Sequence, residues 1–130
     1  MNRSSSDRVS IRIAEMYLIA AEAGSYLPAE LEKAKGYLLD LKAKRLKPEA
    51  METQRTKVGA MDAEQLRTEI ADERARELIG EGHRWMDLRT TRPAIVKTYK
   101  DRTYTLNAND ARYTLPFPQS AIDSNPELND

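Results

Sequence analysis

Three glutamates, Glu73, Glu77 and Glu81, recur at four-residue intervals in the stretch 72–92, which also holds the only His, His83, and the only Trp, Trp85. On a helix that spacing sets the three carboxylates in one stripe. Such a stripe invites two chemistries: paired carboxylates acting on a glycosidic bond, or carboxylates sharing a metal with a histidine one turn away. The metal reading fails on spacing. His83 follows Glu81 by two residues and turns away from the stripe, and Gly80 stands where a Glu-x-x-His pair would need its acid. No metal site and no cofactor are expected. For hydrolysis the acid and base must face a sugar in a cleft, whereas Arg74 and Arg84, three residues from Glu77 and Glu81, would hold them ionised. The preferred reading is therefore structural. Arg12, Arg74, Arg84 and Arg89 can tie Glu15 and Glu22 of an early helix to Glu73, Glu77 and Glu81, with Asp87 beside them. Trp85 is expected in the core next to Leu88.

A second group mixes the residue types that sugars need. Aromatic faces stack on pyranose rings while amides and carboxylates bond the hydroxyls, and Tyr99, Tyr104, Asn107, Asn109 and Asp110 combine these types on one expected loop. They are the candidate ligand-binding residues. Against this stands the plain reading that they are ordinary loop residues.

The elements that position these groups follow from periodicity. Residues 1–8 are Ser-rich and expected to fray, with Asp7 or Ser10 as a possible first cap. Ile13, Met16, Tyr17, Ala20 and Gly24 recur at helical spacing, and after Pro28 so do Leu31, Ala34, Leu38 and Leu41. Residues 9–46 should form an antiparallel helical hairpin that resembles one tetratricopeptide repeat. Residues 47–61, with Pro48 and Gly59 among charges, read as a surface loop. Asp62 and Gln65 make a capping box, so a long motif helix should run through 62–92, bent at Gly80 and Gly82. The remainder, 93–130, reads as a short hairpin or ordered loop and then an extended arm fixed by Pro116 and Pro118. The expected class is mainly α, in one domain.

Composition removes several functions. Twenty-one basic and 21 acidic residues balance with their signs interleaved, which excludes the basic footprint of a nucleic-acid binder. The chain has no cysteine, hence no disulfide and no thiol nucleophile. Its longest apolar run, from Met16 to Ala21, is far short of the ~20 residues a membrane span needs.

The stretch Glu73-Arg74, Glu77-Leu78, Glu81-Gly82, Arg84-Trp85, Asp87-Leu88-Arg89 resembles a motif near the C-terminus of the RagB/SusD family of surface nutrient-binding lipoproteins. Two further features of that family follow the same order, a helix at 14–23 and a closing Tyr-x-Leu-Pro-x-Pro pattern at 113–126. The resemblance implies a binding protein and not an enzyme, carrying an oligosaccharide or other nutrient and working with a TonB-dependent transporter at the outer-membrane surface. Family members are exported and anchored through an N-terminal Cys. Neither that Cys nor an apolar leader occurs in this sequence, so the expectation is a C-terminal fragment that can lack the family's ligand site. Two other functions stay open: a helical-repeat module that binds a protein partner, and a carboxylate-dependent hydrolase. Ile11, Ile13, Leu18, Ile19, Tyr37 and Leu39 lie on more than one side of the first two helices, so self-association through that pair is also expected.

Overall fold

A computed structural model describes residues 12–129. Among them are six α-helices and one two-stranded antiparallel sheet, so the chain is mainly α as expected. Contacts divide it at Gly80 into two compact units, Met1–Gly80 and Glu81–Asp130, where the sequence reading has one domain.

The first unit contains α1 (Ile13–Ser25), α2 (Leu31–Ala43), α3 (Pro48–Gly59) and α4 (Ala63–Glu77). A 3-10 turn at Pro28–Glu30 reverses the chain, so α1 and α2 lie antiparallel. Gly24 lets them close up: a Cβ there would meet the Ala34 Cβ at 3.0 Å. Farther along, Tyr17 and Tyr37 meet edge to face with centroids 6.2 Å apart. Ala14, Leu18, Ala21, Ala34, Leu38, Leu41, Val58, Leu66 and Ile70 form the core, drawn from all four helices. Asp62 accepts from the backbone N–H groups of Glu64 and Gln65 while Gln65 accepts from the Asp62 N–H, so the capping box starts α4 where the sequence places it. The expected caps at Asp7 and Ser10, and Ile11, lie outside the described residues.

Two boundaries differ from the sequence reading. Residues 47–61 are not a loop: Pro48 occupies the first turn of α3, where its missing N–H is no loss, and Gly59 ends the helix. Only Met51 and Val58 of α3 are buried, too few for a visible period. The Lys35 ammonium donates to the Gly59 carbonyl at 2.9 Å, placing a cation at the C-terminal end of α3. The motif helix is also not continuous. Gly80 and Gly82 have φ of 80° and 83°, a left-handed backbone that glycine adopts without a Cβ clash, so the helix stops at Glu77 and restarts as α5 (His83–Thr91).

In the second unit, α5 is followed by β1 (Ile95–Tyr99) and β2 (Arg102–Leu106), the hairpin the sequence suggests. A 3-10 turn at Ala111–Tyr113, an extended stretch at 114–118 and α6 (Gln119–Ser124) complete it, with the arm as expected. Trp85 is 39% exposed and therefore not a core residue. Its ring instead stacks on Tyr113, centroids 5.8 Å apart, and Tyr113 is buried, its hydroxyl donating to the Pro93 carbonyl.

Candidate functional site

The break at Gly80 and Gly82 moves the acidic stripe. Glu81 lies beyond α4, and the carboxylates that share a face of that helix are Glu69, Glu73 and Glu77, one turn earlier than the sequence reading places them. Each is held by cations, from α2, α3 and α4 itself and from the residues that flank α1 and α2. The Lys42 ammonium, on a residue only 4% exposed, donates to Glu69 at 2.8 Å and to Glu73 at 2.9 Å. Lys57 of α3 donates to Glu69 at 2.7 Å, and Arg76 donates to both Glu69 and Glu73. Glu77 accepts from Arg45 and Arg12. Arg74 donates to Glu15 at 2.8 Å across α1 and α4. The pairs Glu15 with Arg74 and Glu77 with Arg12 match the expected network; Arg84 is exposed, Glu22 is exposed, and Lys42, Arg45, Lys57 and Arg76 take the places assigned to arginines farther along.

These pairings fix the protonation of the stripe. Burial pushes the Glu69 carboxyl up, but hydrogen bonds from Lys42 and Lys57 outweigh it and hold the group at about 2. Burial likewise opposes ionisation of Glu73, and Lys42 and Arg76 lower it. Arg45 lowers Glu77. All three are held as carboxylates by these cations, an arrangement that orients helices and disfavours the proton donation a general acid needs. A lysine inside a helix looks like a solvated residue in sequence, which is why Lys42 escapes a reading by residue type.

The candidate ligand residues separate. In an antiparallel pair, residues directly opposite point to the same side, and the register sets Lys97 against Tyr104 and Tyr99 against Arg102. Tyr99 and Tyr104 therefore share one hairpin face, diagonal to each other, with Lys97 and Arg102 on the other diagonal. Ile95 and Leu106 sit half-buried at the root of that face. Both tyrosines are exposed, and the Lys100 ammonium stands 5.4 Å from the Tyr99 ring centroid. Asn107, Asn109 and Asp110 follow β2 instead of joining it. Asn107 accepts from the Asp110 N–H through its carbonyl, Asn109 donates its N–H to the Arg92 carbonyl, and the Asp110 carboxylate is taken by Arg112 and the Arg112 N–H. Hydrogen bonds from Arg112 hold Asp110 at about 2. Lys97, Lys100 and Arg102 stand beside the two tyrosines on the hairpin and are not among the residues named from the sequence; their alternation with Tyr99 and Tyr104 is the signal that points to them.

Among the described residues, no group of three or more His, Cys, Asp or Glu side chains is placed to hold a metal ion, and no helix is long and apolar enough to cross a membrane. Comparison with curated proteins finds no match. The model of the SusD family matches residues 1–130, the whole sequence. The chain belongs to the SusD family of outer-membrane-associated proteins that bind glycans and other nutrients.

Proposed function

We propose that this chain is the C-terminal part of a surface nutrient-binding lipoprotein that works with a TonB-dependent outer-membrane transporter, and that it binds oligosaccharide without cleaving it. The observation that carries the reading is the family match over the whole sequence. The motif carboxylates Glu73 and Glu77 support binding over turnover, because Lys42 and Arg76 already occupy the first and Arg45 the second. Within the chain, the ligand contacts are Tyr99 and Tyr104 on the exposed hairpin face; Asn107, Asn109 and Asp110 lie beyond β2, where Asp110 shapes the following turn. A tagged copy of the intact gene product, extracted in mild detergent from its natural host, should co-purify with an outer-membrane β-barrel. Its oligosaccharide binding should weaken in Tyr99→Ala and Tyr104→Ala. A protein that purifies free of any transporter, or binding untouched by both substitutions, would refute the reading.

A further inference from the structure

We propose that the hairpin face selects acidic oligosaccharides, chains bearing carboxylate or sulfate groups; this rests on the glycan-binding reading and names its ligand class. The face is a two-by-two arrangement of Tyr99 and Tyr104 on one diagonal and Lys97 and Arg102 on the other. Directly opposed side chains have Cβ atoms roughly 5 Å apart and diagonal ones roughly 7–8 Å, so a ring stacked on either tyrosine lies within reach of a cation. Lys100 adds a third positive charge over Tyr99. In the helical unit Lys35, Lys42, Arg45, Lys57, Arg74 and Arg76 are each matched by a carboxylate. Among the described residues, Lys97, Lys100 and Arg102 have no ion-pair partner, as is also true of Lys44, Lys47 and Arg55 in the helical unit; what sets the hairpin cations apart is that they stand together beside two exposed tyrosines. That placement leaves their charge for a ligand stacked on either ring. A guanidinium can meet a planar carboxylate or a sulfate with two parallel hydrogen bonds, and a lysine supplies a point charge to either.

The turn argues the same way. Lys100 and Asp101, the two residues between the strands, have φ of 46° and 60°, where Asn-Gly would be the relaxed choice. The Lys100 side chain held there lies against Tyr99, its ammonium 5.4 Å from the ring centroid, which sets a positive charge at the edge of the stacking face.

The test is titration of the isotope-labelled 130-residue chain by NMR with three ligands: tetragalacturonate, its methyl ester, and a sulfated oligosaccharide of similar length. The expected result is saturable shifts confined to residues 95–106 with both acidic ligands and weaker shifts with the neutral ester. Lys97→Gln and Arg102→Gln should each lower the acidic affinity about two- to fivefold and leave the ester unaffected. Added salt should narrow the gap between acid and ester. Both side chains are exposed, and an unchanged amide spectrum outside the hairpin verifies the fold of each variant. Equal shifts from acid and ester, unaltered by the two substitutions, would overturn the acidic selectivity and leave the glycan site standing. Shifts elsewhere in the chain, or none with any ligand, would overturn both.

Discussion

Replacing Lys42 by methionine removes the cation between Glu69 and Glu73 while filling most of its volume. The Glu69 and Glu73 side chains are 10% and 9% exposed, so two carboxylates would be left largely out of water. Breaking a buried pair in this way costs about 3–5 kcal/mol. Lys57 and Arg76 remain, but their side chains are 52% and 55% exposed and each exposed contact recovers only about 0–1 kcal/mol. The net loss should be about 2–4 kcal/mol. The lowered Glu69 carboxyl, held at about 2 by Lys42 and Lys57 together, sets the pH range of the effect. A lowered carboxylate contributes stability that is complete above its unfolded value and disappears as pH falls through its folded value. The gap between parent and variant should therefore be full at pH 7 and shrink between about pH 4.5 and pH 2. Urea unfolding followed by circular dichroism reads it, because four of the six described helices belong to the first unit. At neutral pH the melting temperature should drop by roughly 10–25 °C. A variant within about 0.5 kcal/mol of the parent, or a gap equally large at pH 3 and pH 7, would refute the reasoning.

Three other outcomes follow from the same structure. The triple variant Lys42→Met, Glu69→Leu, Glu73→Leu should return to within about 1 kcal/mol of the parent in urea unfolding, since an apolar replacement of a buried ion cluster is often neutral or stabilising. Tyr113→Phe leaves the Pro93 carbonyl without its donor and should lower the stability of the second unit by about 1–2 kcal/mol, read by fluorescence of the adjacent Trp85. Ile13, Met16 and Ile19 are 77%, 52% and 46% exposed on one side of α1. Concentration-dependent association in the ultracentrifuge should accordingly be suppressed by Ile13→Lys with Ile19→Lys, and a parent that is monomeric at every concentration would contradict this.

Much of the fold is legible because apolar period and caps agree at α1, α2 and the start of α4. The failures have physical causes. In α3 two buried side chains, Met51 and Val58, suffice because α1, α2 and α4 supply the rest of the core, and proline and glycine at its ends look like loop residues unless read as a start and a stop. At Gly80 and Gly82 the sequence shows helix cost but not the sign of φ, so a bend was expected where the chain turns out of the helix. That one error slid the carboxylate stripe by a turn and hid Glu69. Of the apolar residues expected to be exposed, Leu18 is buried and Tyr37 and Leu39 pack half-buried on the core, which leaves α1 to carry the exposed side. Tyr99 and Tyr104 could be chosen by type, but their shared face depends on a register set by the two-residue turn.

The most direct test of the central claim, that this SusD-family chain binds glycans through its hairpin and holds its motif carboxylates for structure, is to watch protein and ligand in one NMR sample. Incubation with neutral and acidic oligosaccharides should produce saturable shifts within residues 95–106 and no new reducing-end signals over days. New reducing ends that disappear in Glu69→Gln or Glu77→Gln variants of unchanged fold would contradict the account.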